Sequence, residues 1–389
     1  MGILSPYCLY SRSPILSPLT GEGWGRGQKK IIHWRKKITT NNSSENASFQ
    51  IHGSIPYQDL RRLGIKAGDI LDFSATVNPY PLPQKIIECF SGEQIAGYPD
   101  SQCYDVIQAL HGYYRIPEDC FTVNVGTSEV IYNFPHLFKR PVQFGPTYGD
   151  YRFAFTRCGR EIMTIDYPAD RESLNRAIDT IKKADADLVI ICSPNNPDGK
   201  LIHHADIEML CQKLPKAVIC IDESYQEMSD TCETFIPRIP EFSNILVLKS
   251  FTKPFGLGGL RTGYAAGSSE IVRSIKQCSL PWGISTLAQR IIPLLFDELE
   301  YFRNQWNLIL ENRNRLCTEF ERSGLKVKKS VCPFFLLNVG NSEQVRQELL
   351  MKHRIAVRSC SSFGYPELLR IMPGEEEKNR VLLRAIEER

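Results

Sequence analysis

The chain has 389 residues, 42% hydrophobic and 23% charged, a balance that suits a globular protein with more than one core and excludes a disordered or fibrous chain. Its formal charge of +3 is unevenly spread: residues 1–50 carry a net +5 and the remainder is slightly acidic, so neither a nucleic-acid partner nor a membrane partner is expected. Thirteen cysteines lie scattered with no C-x-x-C pair, which argues against a metal site or a disulfide scaffold and suits a reducing cytoplasmic setting, and no apolar run is long enough to span a bilayer.

Residues 1–50, rich in Ser, Pro, Gly and Asn, read as a disordered extension. Residues 51–94 read as a segment packing on a small domain, 95–280 as a large domain and 281–389 as the small domain itself. From residue 95 short β-rich runs alternate with helical stretches. The runs are FTVNVG (121–126), PVQFGP (141–146), EIMTIDY (161–167), ADLVIICSP (186–194), AVICIDES (217–224), ILVLKSF (245–251) and TGYAAG (262–267). Several are nearly continuous apolar runs, as strands buried on both faces of a parallel sheet must be. The expected fold class is therefore α/β, a seven-stranded, mainly parallel sheet sandwiched by helices. Beyond it, residues 287–324 read as one long helix. FFLLNVG, EQVRQELLMKHRI, LLRIMP and KNRVLLRAIEE then alternate strand and helix, as in a smaller α+β C-terminal domain.

Ligands of open α/β sheets bind beyond the carboxyl ends of the strands. Each strong polar cluster in the middle of the chain falls at such an end: Gly126 to Glu129, Pro146 to Tyr148, Ser193 to Pro197, Asp222 to Tyr225 and Ser250 to Lys253. A lysine at the end of a buried strand is desolvated, which lowers its pKa and makes its amine a nucleophile able to form a Schiff base. Asp222 could protonate a ring nitrogen in the same cleft. Ser250, Thr252, Arg261 and the backbone of Gly126, Thr127 and Ser128 are donors suited to a phosphate, and Tyr148 offers a flat face. Taken singly, such residues are more often a solvated lysine and a capping aspartate. The GLGGL stretch leads into a strand, unlike a dinucleotide-binding glycine motif. It is the shared location that points to a site.

The motifs SPNNPDG (193–199), IDESY (221–225), SFTKPFGLGGLRTGY (250–264), GYPD (97–100) and VGTSE (125–129) resemble those of fold-type I pyridoxal-phosphate (PLP) enzymes, the aspartate aminotransferase superfamily, over roughly residues 50–389. The resemblance implies Lys253 as the Schiff-base lysine and Asp222 as the partner of the pyridine nitrogen. Tyr225 and Asn196 would bond the phenolic oxygen, and Ser250, Thr252, Arg261, Thr127 and Ser128 the phosphate. Tyr148 would stack on the ring, and Tyr98 would reach the cofactor of a second subunit, which implies a homodimer. Arg370 would bind the substrate carboxylate, with Arg358, His52 and Asn196 as further substrate contacts. IHGSI (51–55), ILDFSATVNPYPLP (70–83), PTYGDYRFAF (146–155) and VRSCSSFG (357–364) are similar to threonine-phosphate decarboxylases of cobalamin biosynthesis. On that resemblance the expected activity is decarboxylation of L-threonine O-3-phosphate. The alternatives are an aminotransferase of the histidinol-phosphate type and a nonenzymatic PLP-fold binding or regulatory protein. The chain departs from these families at Ser54–Ile55, at Tyr80–Pro81 and at Asp198, where NPDG stands for the commoner NPTG.

Overall fold

The structure, a computed structural model, describes residues 53–90, 96–231 and 233–389. The expectations for residues 1–50 and for His52 lie outside the described residues.

The first described segment holds α1 (Tyr57–Leu63), a two-residue strand β1 (Leu71–Asp72) and α2 (Gln84–Ile87). Then come α3 (Tyr104–Tyr114), β2 (Phe121–Asn124), α4 (Gly126–Leu137), β3 (Pro141–Gly145), α5 (Gly149–Arg157), β4 (Met163–Asp166), α6 (Arg171–Lys183), β5 (Leu188–Cys192), α7 (His204–Lys213), β6 (Val218–Asp222), β7 (Ile245–Ser250) and β8 (Gly263–Gly267). The seven strands β2 to β8 form one sheet in the order β2-β8-β7-β6-β5-β3-β4. All neighbours are parallel except β8, which runs antiparallel to both β2 and β7. Each expected apolar run supplies one of these strands.

Two-sided burial explains why those runs are so apolar. Val189, Ile191, Ile219, Ile221, Ile245 and Val247 enter one hydrophobic cluster. Their alternates Leu188, Ile190, Cys220, Leu246 and Leu248 enter another on the opposite face. The edge strand β4 is the exception, with Met163, Thr164 and Asp166 exposed. Helix signals are local and clear at α6. Asp170 caps it by accepting from the Ser173 amide at 2.8 Å, and buried Leu174, Ala177, Ile178 and Ile181 form one apolar stripe.

The long helix expected over 287–324 is two helices, α8 (Ser269–Cys278) being followed by α9 (Thr286–Asp297) and α10 (Leu299–Arg322). The break falls at Glu298 (φ −99°, ψ 18°). It redirects the stretch from α3, on which α9 packs, toward a second sheet. That sheet is built from β9 (Val327–Lys328), β10 (Phe335–Asn338), β12 (Arg358–Ser359) and β13 (Leu368–Ile371). Its order is β12-β13-β10-β9, antiparallel throughout. Helices α11 (Ser342–His353) and α12 (Glu376–Glu387) accompany it, and Phe335, Leu337, Leu349, Leu369 and Leu382 share its core. A parallel pair joins β1 to β11 (Ile355–Ala356), so the first described segment is hydrogen-bonded beside the second sheet. Among the described residues no helix is long and apolar enough to cross a membrane.

Candidate active site

The strand ends converge on a cleft open to solvent, and ten residues expected at a cofactor line it. They are Thr127, Ser128, Tyr148, Asn196, Asp222, Tyr225, Ser250, Thr252, Lys253 and Arg261. Topology accounts for the convergence. Helix α4 begins at the end of β2, Tyr148 follows β3, Asn196 follows β5, Asp222 closes β6, and Lys253 follows β7 by a single turn.

Lys253 has a pKa lowered to about 8. Burial is the main cause, the cations Arg370 and Arg261 add to it, and Asp222 opposes them. A substantial fraction of the amine is thus neutral near pH 8. The rate at which the apoprotein captures PLP should therefore rise with pH and level off above about 8, as stopped-flow absorbance would show; a flat profile would contradict it.

Asp222 is held as an acceptor. Ser224 donates its amide (3.0 Å) and its hydroxyl (2.6 Å) to Oδ1, and the Tyr151 hydroxyl donates to Oδ2 at 2.7 Å. Neither Tyr151 nor Ser224 was expected from the sequence. Tyr151 lies in the first turn of α5, three residues after Tyr148, which precedes the helix, and this nearness to a residue already singled out could have found it. Tyr151→Phe should weaken PLP binding about tenfold, the loss of one hydrogen bond to a carboxylate. Fluorescence titration measures it, and unchanged affinity would refute the role.

Tyr225 donates to or accepts from Thr76 Oγ1 at 2.9 Å, and burial pushes its pKa up to about 12, with Arg370 and Thr76 opposing. The Tyr148 hydroxyl donates to Asp150 at 2.7 Å, and burial with the Asp150 charge holds its pKa above the ordinary value.

The anion cradle is equally legible. Helix α4 has no side-chain cap, and Gly126 enters it at φ +68°, where only glycine sits without strain. A Cβ there would also stand 3.3 Å from Arg261 Nη2, so the guanidinium closes over the helix end. With Thr127, Ser128, Ser250 and Thr252 alongside, this end offers amides, hydroxyls and one cation to a phosphate. A lysine of lowered pKa, an acceptor carboxylate, phenolic and amide donors and an uncapped helix end together fit a phosphorylated pyridine aldehyde.

Arg370 and Arg358 lie outside the cavity wall but beside it. Arg370 donates to Asn196 Oδ1 at 2.6 Å and to the Ser74 carbonyl at 3.0 Å, and stands 5.2 Å from the Phe334 ring centroid. Among the described residues its Nε has no hydrogen-bond partner. Arg358 is its register partner across β12 and β13, both are buried, and Arg358 donates to Ser362 at 2.7 Å. Burial and the neighbouring Arg370 lower the Arg358 pKa to about 10. Tyr98 is not brought to the cavity of its own chain. It is 89% exposed, its ring 5.7 Å from that of Trp282.

Residues 66–386 match the family Aminotransferase class I and II. A histidinol-phosphate aminotransferase of Ruminiclostridium cellulolyticum is 31% identical over 329 residues, 80% of this chain and 90% of that protein. The crystal structure of the histidinol-phosphate aminotransferase from Clostridium acetobutylicum matches at 25% identity with TM-score 0.75, covering 82% of this chain and 98% of that one. That of L-threonine-O-3-phosphate decarboxylase from Porphyromonas gingivalis matches at 22% identity with TM-score 0.73, covering 81% and 98%, a likeness of fold alone. With relatives of both kinds at hand, the decarboxylase expectation is not favoured over the aminotransferase one. A chain so matched, with a buried lysine, an acceptor aspartate and an anion cradle at the ends of its strands, belongs to the aminotransferase class I and II family and is a fold-type I, PLP-dependent enzyme.

Proposed function

We propose that the enzyme acts on a small primary amine bearing a phosphate, and that its reaction is amino transfer of the histidinol-phosphate type. The observation that carries the substrate class is the cross-strand pair Arg358–Arg370. Two buried guanidiniums opposite one another repel, and an anion between them relieves the repulsion while exploiting the bidentate fork of each. The relatives named histidinol-phosphate aminotransferases support the choice of reaction.

The geometry supports the following roles. The α4 N-terminus, Ser250, Thr252 and Arg261 would hold the cofactor phosphate. Asp222, oriented by Tyr151 and Ser224, would hold the pyridine nitrogen of PLP and stabilise a positive charge on it. Tyr225 and Asn196 would hold the phenolic oxygen, and Tyr148 would hold the ring. Bound PLP supplies an electron sink for the bond broken at the substrate Cα, chemistry that no side chain offers. Lys253, its amine partly neutral near pH 8, would take the proton from the substrate Cα. Arg358 and Arg370 fix the substrate anion and so the orientation of Cα. Exposed Tyr98, Tyr104, Leu280 and Trp282 support a homodimer in which Tyr98 serves the partner's site.

A second reading, decarboxylation of L-threonine O-phosphate, is favoured by one observation. The segment that resembles the decarboxylases is the one lying over the substrate end. Ser74 contacts Arg370, Thr76 contacts Tyr225, and Asn78 donates its amide to the Lys253 carbonyl at 2.9 Å. Which bond breaks depends on the angle set there. Mass spectrometry of products separates the readings. With L-histidinol phosphate and a 2-oxo acid, catalytic appearance of the carbonyl product supports amino transfer. Aminopropanol phosphate from L-threonine O-phosphate without any oxo acid would replace that reading with the second.

A further inference from the structure

Asp198 stands in the turn that follows β5 and is buried, yet none of the roles above uses it. Its Oδ1 accepts from Asn195 Nδ2 at 2.7 Å and from the Lys200 amide at 3.3 Å. Asn195 is completely buried and reaches across to the turn after β3. Its Nδ2 also donates to the Pro146 carbonyl at 3.0 Å, and its Oδ1 accepts from the Thr147 hydroxyl at 2.8 Å. One amide therefore ties the turn carrying Tyr148 to the turn carrying Asn196. An amide can sit either way round. A carboxylate beside it accepts only, and this forces the Nδ2 end toward Asp198 and Pro146, leaving Oδ1 for Thr147.

The other carboxylate oxygen, Oδ2, is buried and has no hydrogen-bond partner among the described residues. Its nearest cations are Lys200 Nζ at 3.5 Å and Lys328 Nζ at 3.9 Å, the latter on β9 of the second sheet. The turn has no slack to adjust, because a Cβ on Gly199 would stand 2.3 Å from Ser330 Cβ.

We propose that Asp198 is a positioning residue. Its carboxylate orients the Asn195 amide, which holds the Tyr148 and Asn196 turns in one arrangement, and Lys200 and Lys328 balance its charge. The proposal rests on the assignment of Tyr148 and Asn196 to the cofactor.

The test is the PLP dissociation constant of folded apoprotein variants, read by fluorescence titration, with the visible absorption spectrum of the loaded protein. Asp198→Ala is expected to weaken PLP at least about tenfold and to shift the band, whereas Asp198→Asn, which still presents an acceptor to Asn195, stays within about threefold. Lys328→Met should lower the melting temperature of the wild type but not that of Asp198→Asn, which has no charge left to balance. Thr147→Val, which removes the far side of the bridge, should weaken PLP about threefold. It tests the bridge even if Asp198→Ala does not fold. Asn196→Ala controls for the assignment on which the proposal rests. If it leaves PLP affinity unchanged, that assignment fails. If it weakens PLP while Asp198→Ala and Thr147→Val both bind as tightly as wild type, the proposal itself is overturned.

Discussion

Lys253→Ala is expected to lower kcat by at least about 10⁴-fold and to abolish the visible absorption band of the bound cofactor. Both losses follow from one atom. Lys253 is the lysine at the mouth of β7, and its amine is neutral enough near pH 8 to act as nucleophile and base. Binding of PLP should survive in weakened form, because on the proposed assignment Arg261 and the α4 N-terminus would hold the phosphate independently. A variant that retained both the band and turnover would refute the assignment. Methylamine added to Lys253→Ala should restore the band without restoring comparable turnover, since a free amine binds no preferred geometry.

Lys249→Met is expected to destabilise the fold by about 3 kcal/mol, measured by urea titration, although Lys249 touches no part of the cavity. The residue is only 1% exposed and lies within the sheet. Its ammonium pairs with Glu227 at 2.7 Å and Glu223 at 3.3 Å. Glu223 also accepts from the Phe235 amide at 2.8 Å and from Thr234 at 2.5 Å. Removing the lysine leaves two carboxylates facing each other without their cation. Burial alone would lower the Lys249 pKa, but the Glu227 and Glu223 charges outweigh it and raise it. The sign follows: the pair's contribution is full below the ordinary lysine value of 10.5 and is lost as the pH rises through the raised folded value. A stability loss that vanished at pH 7 would contradict this. Lys249→Met combined with Glu227→Gln should recover part of the loss, because one of the stranded charges is gone.

How much of this was readable beforehand differs from element to element. Strands β5 to β7 were legible because burial on both faces leaves runs such as LVIIC without polar interruption. Strands β9, β11 and β12 are two residues each, too short to show any period, and exist only through their partners. The break at Glu298 carries no breaker residue of its own and depends on where the helices pack. Within the site, residues at the strand ends could be placed by topology. The face-to-face register of Arg358 and Arg370 could not, since cross-strand pairing is a tertiary fact. The burial of Lys249 within ILVLKSF could not be read either, because its two glutamate partners come from the turns that follow β6.

The pairing of β1 with β11 has a mechanical meaning. Phe73 donates its amide to Ala356 and accepts from Met372 at its carbonyl, while five residues later Asn78 donates to the Lys253 carbonyl. The chain is thus pinned at one end to the strands bearing the arginines and at the other to the lysine turn. Any displacement of one relative to the other must be taken up between these pins. Ser74 and Thr76, the contacts of Arg370 and Tyr225, lie within that short span. A shift of the arginine-bearing strands would therefore pull directly on the groups around the reacting carbon, as a taut cord between two boats passes every drift from one to the other.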